Sequence, residues 1–522
     1  MEEIKYPVGV QTFAEIIREN YLYVDKTELI FKLVNQSKYV FLSRPRRFGK
    51  SLLLSTLDDY FKGRKELFRN LAISRLESIW TEYPVFRLDL SGEYFNHQGI
   101  LIDHINGLLD DMEELYGLPP TTGTISRRFR LLLRKVYEKF SQRVVILIDE
   151  YDKPMLDCLH DEELHQNMQN QLAAFYSVMK GSDEYIRFVM ITGVSRFSRV
   201  SIFSALNNLD DISMLPEYNA ICGISEQEFH TYFPKSVESF ATTHNLSEGH
   251  VWSAFKREYD GYRFAREGDF IYNPYSVLKA FRFKELGHYW FVSGSASFLV
   301  KLVKRHSFLL GDLEGAKRRA ADLIDISSIG RDFVPLLYQA GYLTLKGYDA
   351  DTKEYTLGFP NREVSEGFWE SLAREFFIDN IGHNCFNTVK FLDELYNGQP
   401  DAFLRRLKAL FADTESQPES NKELHFQNMM AIACKMLGLV VRTEIRSSVG
   451  RCDMIIETQR FVYIFEFKVD GSAEEALAQI IEKDYAGRYD VDPRQIFLIG
   501  ANFSTQTRTL TLPWFIDSLR ER

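Results

Sequence analysis

An aspartate, a glutamate and a lysine near the end of the chain are spaced as a metal-dependent nuclease would place them. Asp453 comes just before the apolar pair Ile455-Ile456, and the chain resumes after a polar turn as the apolar run 461–465, which predicts a β-hairpin. Because successive side chains alternate along a strand, Glu466 and Lys468 share one face while the phenylalanines beside them point into the core. Asp453 on the neighbouring strand can reach the same spot.

Two carboxylates beside a lysine suit phosphodiester hydrolysis. Hard oxygen ligands hold Mg²⁺ or Mn²⁺, the metal activates water, and the lysine steadies the attacking water or the developing charge. The alternative for the same residues is an ordinary edge hairpin with a solvated Glu/Lys pair. Helical patterns flank the hairpin at 422–437 and 472–483, with Glu423 on the inward side of the first. In the second, Gln479 lies beside an apolar stripe that we expect to be buried and that includes Ile481.

A phosphate-binding loop is predicted near the start of the chain. The apolar strand pattern 39–42 leads through Ser43-Arg44-Pro45-Arg46-Arg47-Phe48-Gly49-Lys50-Ser51 into an apolar helix start. Backbone N–H groups at such a helix start cradle phosphates, the lysine reaches the β and γ groups, and the serine hydroxyl ligates Mg²⁺. Arg44 stands where the consensus has its first glycine. The residues expected to bind the nucleotide here are Arg47, Phe48, Gly49, Lys50 and Ser51.

Two further strand ends carry residues for the same chemistry. The strand pattern 143–148, unbroken and apolar from Val144 onward, is typical of a central parallel strand and ends in Asp149 and Glu150. Ligands bind at the carboxyl ends of strands in open α/β sheets, so Asp149 would hold Mg²⁺ and Glu150 would polarise the attacking water. The strand pattern 185–191 leads to Arg196, which would point toward the γ-phosphate or else pair with a surface acid. Arg199 is a second candidate.

The chain resembles a family of bacterial AAA-ATPase-like proteins with a C-terminal PD-(D/E)XK nuclease domain. The segments that carry the resemblance are YLYVDKTELI, RPRRFGKS, LIDEYDKP, TGVSRFSRVSIFSALNNLDDIS, YDGYRF, YNPYSVLKAF, YQAGYLTLKGYDADTKEYTLGFPNREV and GRCDMIIETQRFVYIFEFKVDGSAEEALAQI. Members commonly lack the first glycine of the loop, so Arg44 fits the family. The resemblance implies that Glu423, Asp453 and Glu466 form an acidic site that holds a metal. It also implies that Lys468 is the catalytic lysine and that Gln479, on a helix, lies near the scissile phosphate. Tyr485 matches a motif tyrosine whose role is open.

Several polar positions keep two interpretations. Thr27 either caps a helix at Glu28 or contacts the nucleotide. Asn207 and Asn208 are either polar sensors or turn formers, and we favour a turn for at least one of them.

Pattern changes along the chain predict an α/β protein with four segments. Residues 1–215 form an AAA-ATPase-like P-loop domain with a parallel sheet, and residues 216–365 a helical and winged-helix-like region. Residues 366–420 are a helical connector with a linker at 413–420, and residues 421–522 an α/β domain like that of restriction endonucleases. Within the second segment, 338–345 and 355–359 read as two strands around a polar turn. Such a wing binds DNA or only relays motion, and we slightly favour the structural role, since Lys346 is its one evident basic contact.

Composition favours a large enzyme and argues against a protein that coats DNA. The 522 residues carry a formal charge of −10, and residues 421–522 hold 13 Lys and Arg against 14 Asp and Glu. This balance argues against nonspecific duplex coating but is compatible with acids that a metal neutralises. The five cysteines show no C-x-x-C spacing, and we expect neither a signal peptide nor a membrane span. We therefore expect a cytoplasmic protein in a reducing compartment.

The sequence leads to a P-loop ATPase coupled to a Mg²⁺-dependent DNA endonuclease, with ATP and DNA as partners. The alternative is a nucleotide-driven switch whose C-terminal domain binds nucleic acid or a protein without cutting. Metal-dependent cleavage separates the two. Nothing in the sequence indicates a subunit interface.

Overall fold

The computed structural model describes most of the chain and divides it into two compact units. The described residues are 4–159, 161–196, 208–293, 310–324, 332–376, 388–412, 422–436, 440–446, 451–507 and 509–519. The first unit comprises Met1–Gly294 and Lys317–Val364, and the second comprises Ser295–Ala316 and Ser365–Arg522.

A five-stranded parallel sheet forms the centre of the first unit. Its strands are β1 (Tyr39–Ser43), β2 (Val85–Asp89), β3 (Val144–Asp149), β4 (Ile186–Gly193) and β5 (Asp210–Asp211). Their spatial order is β2-β3-β4-β1-β5, and every neighbouring pair is parallel. Every residue of β3 is buried, as its unbroken apolar sequence predicts. The carboxyl ends of β1, β3 and β4 therefore lie at one edge of the sheet.

Helices between the strands cover this sheet. They are α1 (Phe13–Arg18), α2 (Thr27–Gln36), α3 (Lys50–Phe61), α4 (Ile100–Leu115), α5 (Ile125–Phe140), α6 (Lys153–Asp157) and α7 (Glu162–Lys180), with short 3₁₀ turns at Lys65–Phe68, Ala72–Arg75 and Asp183–Tyr185. Local sequence sets their starts: the side chains of Thr124 and Asp161 accept hydrogen bonds from the first turns of α5 and α7. The sheet with its alternating helices confirms the predicted parallel α/β class.

A helical region with an aromatic core follows in the same unit. After the 3₁₀ turn Pro216–Tyr218, its elements are β6 (Ile224–Ser225), α8 (Glu226–Tyr232), α9 (Pro234–His244), α10 (Glu248–Tyr259), β7 (Ile271–Tyr272), α11 (Pro274–Phe283) and α12 (Tyr289–Ser293). Phe229, Phe233, Phe255 and Phe281 are buried and stack on one another at the centre. A capping box between Ser225 and Glu228 starts α8.

The wing-like part of the first unit is a three-stranded antiparallel sheet beside two short helices. The elements are β8 (Lys317–Arg319), α13 (Ala320–Ile324), α14 (Val334–Ala340), β9 (Thr344–Asp349) and β10 (Glu354–Gly358), with the order β8-β10-β9. The expectation of a strand from residue 338 is wrong, because 338–340 end α14 and Gly341 closes that helix in the left-handed conformation. The sequence indicated Lys346 as the one evident basic contact of the wing, and the structure adds β8, with the sequence Lys-Arg-Arg, to the same sheet.

The second unit contains a five-stranded mixed sheet covered by helices. Its strands are β11 (Val440–Arg446), β12 (Arg451–Glu457), β13 (Phe461–Val469), β14 (Gln495–Ser504) and β15 (Thr509–Leu519), in sequential order. Only the β13–β14 pair is parallel among the described strands of this sheet. The helices after residue 360 are α15 (Arg362–Phe376), α16 (Thr388–Tyr396), α17 (Pro400–Ala412), α18 (Lys422–Met436) and α19 (Ala473–Glu482), with 3₁₀ turns at Leu310–Leu313 and Gly487–Tyr489.

Packing in the second unit follows the predicted pattern, with the clearest departure in α19, where Leu477 is only half-buried. The β12–β13 hairpin and the flanking helices α18 and α19 are confirmed, and Phe426, Ile480 and Ile464 are buried. Ile481 is instead 57% exposed, so the apolar stripe of α19 is narrower than predicted. The expected linker at 413–420 lies outside the described residues. Among the described helices, none is long and apolar enough to cross a membrane.

Candidate functional site

The loop after β1 wraps around the ammonium group of Lys50. Gly49 has a φ of 97°, in the left-handed region that glycine favours, and it brings Lys50 to the first position of α3. Lys50 Nζ donates to the carbonyl oxygens of Arg44 at 2.9 Å and Pro45 at 3.0 Å. Burial lowers the pKa of Lys50, while the carboxylates of Asp149 and Glu150 oppose the shift. A helix start with unpaired first-turn N–H groups beside a lysine is suited to a phosphate group.

Arg44 is a structural anchor at the position of the missing consensus glycine. Its side chain is 1% exposed, and its guanidinium donates to the carbonyl oxygens of Ser213 at 2.8 Å and Tyr218 at 3.1 Å. The guanidinium also lies 4.2 Å from the ring centroid of Phe264. Burial lowers the pKa of Arg44 to about 10. A glycine here could make none of these contacts, so the loop conformation depends on the arginine.

The other loop residues divide between packing and exposure. Phe48 is buried and packs edge-on against Tyr262 and Phe264, and its carbonyl oxygen accepts from the N–H of Gly223 at 3.1 Å. Its side chain therefore holds the loop in place. Arg47 is exposed, with its guanidinium 5.2 Å from the ring centroid of Tyr275. Ser51 is half-buried in the first turn of α3, beside Lys50.

Asp149 and Glu150 lie at the end of β3, on the strand edge that the sequence predicts. Asp149 Oδ1 accepts from Thr192 Oγ1 of β4 at 2.7 Å and from the N–H of Glu150 at 3.0 Å. Glu150 has a φ of 49°, a conformation that costs energy for a residue with a Cβ. Burial raises the pKa of Glu150, and Lys50 opposes the shift. A strained, half-buried carboxylate beside a lysine is typical of a residue held for chemistry.

Arg196 follows β4 and pairs with an acid of β5, which lies on the far side of β1 in the sheet. Its guanidinium lies 2.7 Å from Asp211 Oδ2, and its backbone N–H donates to Gln339 Oε1 at 2.7 Å. Arg196 also lines a small cavity with Arg44 and Pro45 of the phosphate loop. In this conformation the arginine is therefore near the loop but engaged with Asp211. Arg199 and Asn207 lie outside the described residues, and Asn208 is exposed in a turn.

The Asp25-Lys26-Thr27 segment is structural in this conformation. Thr27 is the first residue of α2 and does not cap it, so the capping interpretation is wrong. Its hydroxyl donates to Asp25 Oδ1 at 2.7 Å, and Asp25 Oδ2 accepts from the N–H of Ala72 at 2.7 Å. The buried Lys26 pairs with Glu228 at 2.5 Å. The segment thus ties the sheet to the helical region.

The second site lies in the other unit, where Asp453 and Glu466 meet across the β12–β13 hairpin. The N–H of Asp453 lies 3.4 Å from Glu466 Oε2, and Asp453 Oδ2 accepts from the N–H of Phe467 at 2.8 Å. Glu466 is 3% exposed. Burial, and then the neighbouring Asp453 carboxylate, raise the pKa of Glu466 to about 8. Two adjacent carboxylates that resist ionising together have the hard oxygen donors that a divalent cation prefers.

Gln479 joins the lysine to the glutamate. Its Oε1 accepts from Lys468 Nζ at 2.5 Å, and its Nε2 donates to Glu466 Oε1 and, at 3.3 Å, to the hydroxyl of Tyr485. The amide is oriented by partners on both sides. Tyr485 is 3% exposed and belongs to the core of this unit, so the motif tyrosine supports Gln479 from behind.

A glycine lets α19 approach the sheet closely enough to place Gln479. Gly500 of β14 is the register partner of Glu466, and a Cβ there would lie 2.3 Å from the carbonyl oxygen of Ala473 and 2.5 Å from the N–H nitrogen of Leu477. The side chain of Ser472 accepts from the N–H of Glu475 and fixes the start of the same helix. The amide of Gln479 therefore reaches the hairpin because of this close contact.

The remaining predicted metal ligand is only partly described. Glu423 lies in the first turn of α18, but its side chain is outside the described residues. Within the described part of the chain, no three His, Cys, Asp or Glu side chains cluster as a metal site. The structure thus brings together Asp453, Glu466, Lys468 and Gln479 at one place.

Sequence reasoning missed Asp152 and the structural role of Arg44. Asp152 is buried and accepts hydrogen bonds from the end of β4. Its position two residues after Glu150, in a turn between a buried strand and a proline-containing helix start, is the one local signal. Arg44 differs from the expected glycine, and only the tertiary structure shows what it contacts.

Comparison with known proteins agrees with this architecture. Residues 7–203 match the family described as predicted AAA-ATPase, and residues 421–511 match the PD-(D/E)XK nuclease superfamily. A protein of Azotobacter chroococcum mcd 1, described as "Uncharacterized protein in vnfD 5'region", is 34% identical over 531 residues, which cover 99% of this chain and 100% of the relative.

Two solved structures match this chain with low sequence identity and low TM-scores. The Aeropyrum pernix ORC1 protein in complex with DNA is 9% identical, with a TM-score of 0.25, over 70% of this chain and 98% of that one. The Aeropyrum pernix ORC2 protein, in ADPNP–ADP complexes, is 11% identical, with a TM-score of 0.20, over 69% of this chain and 98% of that one. At these scores neither supports an inference about this chain.

The chain belongs to the class of predicted AAA-ATPases that carry a C-terminal domain of the PD-(D/E)XK nuclease superfamily. Within that class it belongs to one family with the Azotobacter protein, to which it aligns along almost its whole length. The resemblance found from the sequence is therefore confirmed.

Proposed function

We propose that the chain binds and hydrolyses ATP in its first unit and cleaves DNA with Mg²⁺ in its second, with the nucleotide state controlling cleavage. The observation that carries the nuclease assignment is the hydrogen-bonded series of Lys468, Gln479 and Glu466 beside Asp453. These hydrogen bonds hold the ammonium group of the lysine, the amide and the two carboxylates at fixed distances from one another. That arrangement suits hydrolysis of a phosphodiester.

In the ATPase, the loop and the strand ends would divide the work. The N–H groups at the start of α3 and the ammonium of Lys50 would bind the phosphates. Ser51 and Asp149 would hold Mg²⁺, which neutralises charge on the β- and γ-phosphates when bound. Glu150 would orient the attacking water and accept its proton at the carboxylate. Arg196 would stabilise charge on the γ-phosphate after leaving Asp211.

In the nuclease, Asp453 and Glu466 would hold the metal, together with Glu423. The bound Mg²⁺ or Mn²⁺ would lower the pKa of a water molecule and polarise the scissile phosphate. Lys468 would hold the attacking water through its ammonium group. Gln479 would hold the side chains of Lys468 and Glu466 in position through its hydrogen bonds with them. The raised pKa of Glu466 fits a ligand whose proton is displaced by the cation.

The partners proposed are ATP and DNA, and the proposed location is the cytoplasm. One observation supports the location: the described cysteines Cys158, Cys222 and Cys452 are free and buried, as a reducing compartment permits. The near-neutral charge of residues 421–522 favours a substrate held at the metal site over a coated duplex.

The test is cleavage of single- and double-stranded DNA with Mg²⁺ or Mn²⁺ by the full chain, by Lys468→Ala and by Lys435→Ala. Lys435, in the last turn of α18, is the matched control for loss of a lysine in the same unit. We expect the wild type and Lys435→Ala to cut and Lys468→Ala to lose roughly 100-fold or more in rate. Cleavage by Lys468→Ala at the wild-type rate would overturn the catalytic assignment. Absence of cleavage with intact ATP turnover would favour the nucleotide-driven switch that binds its partner without cutting.

A further inference from the structure

The carboxylate of Asp152 connects the ends of two strands in the first unit. Asp152 lies at the start of α6, yet its side chain does not cap that helix. Instead, Oδ2 accepts from the N–H of Ser195 at 2.6 Å, from Ser195 Oγ at 2.5 Å and from the N–H of Val194 at 3.1 Å. The side chain is 1% exposed. A buried acid with three donors from one neighbouring turn fixes that turn in place.

The turns after β3 and β4 are in close contact. The N–H of Tyr151 donates to the carbonyl oxygen of Thr192 at 3.1 Å. The hydroxyl of Tyr151 donates to the carbonyl oxygen of Ser195 at 3.0 Å. A Cβ at Gly193 would lie 2.6 Å from both Asp152 Oδ1 and Tyr151 Cδ1. The two turns therefore behave as one rigid piece.

This piece holds two of the three residues that the proposed ATPase needs beyond the phosphate loop, and the third, Asp149, directly precedes it. Glu150 is at one end, in its left-handed conformation, and Arg196 directly follows Ser195 at the other. The N–H of Arg196 continues to Gln339 of α14, whose Nε2 donates to the carbonyl oxygen of Leu323 at 2.6 Å. A movement at Glu150 would thus reach Arg196 through Asp152, and α14 through Gln339.

We infer that Asp152 is a positioning residue that couples Glu150 to Arg196 during ATP hydrolysis. Its carboxylate accepts hydrogen bonds from the turn after β4 and from no residue of the phosphate loop, where it acts on Lys50 through its charge alone. Its effect should therefore fall on the catalytic step and leave ATP binding intact. The inference rests on the proposed ATPase activity.

The experiment measures kcat and KM for ATP, with nucleotide binding followed separately, for the full chain and four variants. Asp152→Ala removes the acceptor, Asp152→Asn keeps an amide oxygen for the Ser195 donors, and Ser195→Ala removes one donor while leaving the backbone donors. Asp161→Ala is the matched control, because Asp161 is a nearby aspartate that caps α7 with its side chain. We expect Asp152→Ala to lower kcat by roughly 100-fold with little change in KM, since a displacement of about 1 Å has that effect on a catalytic group.

The conservative variants distinguish positioning from a loss of folding. We expect Asp152→Asn and Ser195→Ala each to lower kcat by roughly two- to fivefold, and Asp161→Ala to retain the wild-type kcat. If Asp152→Ala does not fold, Asp152→Asn and Ser195→Ala still carry the test, because kcat must rank below that of Asp161→Ala in both. Equal kcat in all three would overturn the inference.

A double-mutant cycle with Arg196→Ala tests the coupling itself. If Asp152 acts through Arg196, the double variant should have a kcat no lower than the lower of the two single variants. Multiplicative losses would overturn the inference while leaving the ATPase proposal intact. No turnover in the wild type would overturn the ATPase proposal and the inference with it.

Discussion

Replacing Gly500 with alanine tests whether the distance between α19 and the sheet sets the nuclease site. The added Cβ would lie 2.3 Å from the carbonyl oxygen of Ala473, about 1 Å inside ordinary van der Waals contact, which begins at 3.4 Å. Its two nearest neighbours are backbone atoms of α19, which cannot rotate away, so the helix itself must move. Because Gln479 lies on that helix, its amide would leave Glu466 and Lys468.

Two magnitudes follow from this displacement. Overpacking by one methyl group against backbone should lower the free energy of unfolding by about 1 to 3 kcal/mol. If Lys468 is the catalytic lysine and Gln479 positions it, as proposed, a shift of about 1 Å in Gln479 should lower the cleavage rate roughly 100-fold. The loss in cleavage should exceed what the fraction of unfolded protein explains.

The assay combines metal-dependent DNA cleavage with thermal unfolding of the same preparations. Gly107→Ala is the control, because a Cβ at that position in α4 meets nothing within 4 Å. The control should retain both stability and cleavage. Wild-type cleavage by a folded Gly500→Ala variant would refute the reasoning that this contact places Gln479.

Three further predictions concern the first unit. Lys50→Ala should abolish ATP turnover while Lys62→Ala, at the other end of α3, retains it; equal rates in an ATPase assay would contradict the role of the loop. Arg44→Gly restores the consensus glycine but should lower the free energy of unfolding by about 3 kcal/mol, because buried carbonyl groups lose a charged donor. A higher midpoint of chemical denaturation in this variant would contradict the structural role of Arg44. Burial raises the pKa of Glu363 from 4.5 to about 8. The protonated side chain therefore contributes on the order of 5 kcal/mol to the free energy of unfolding below pH 4.5, and this contribution is lost as the pH rises through 8. Glu363→Gln should flatten that part of the stability profile measured at pH 5, 7 and 9, and an unchanged slope would exclude Glu363 as the cause.

The elements that carry the sites follow from local sequence. The apolar run that ends at Asp149 has one stable placement, a buried parallel strand, and alternation along β13 puts Glu466 and Lys468 on one face. Such short-range patterns suffice for strands and helices with strong periodicity. The same patterns could not give the distance between Gln479 and Glu466, which depends on the absence of a side chain at Gly500 in another strand.

Long-range contacts account for the features that the sequence did not predict. The Lys-Arg-Arg strand β8 has no apolar alternation, and its pairing is set by β10. Arg44 is buried because Ser213 and Tyr218, far along the chain, supply acceptors for it. Ile481 is exposed because the helix face toward the sheet is limited to a narrower stripe. Each outcome depends on a partner that no local window contains.

The most direct test of the proposed coupling measures DNA cleavage with Mg²⁺ in the presence and absence of ATP, by the wild type and by Lys50→Ala. We expect ATP to change the cleavage rate of the wild type and to leave that of Lys50→Ala unchanged, because the variant would lack the ammonium group proposed to bind the phosphates. Cleavage by the wild type at the same rate with and without ATP would contradict the proposed coupling of the two sites.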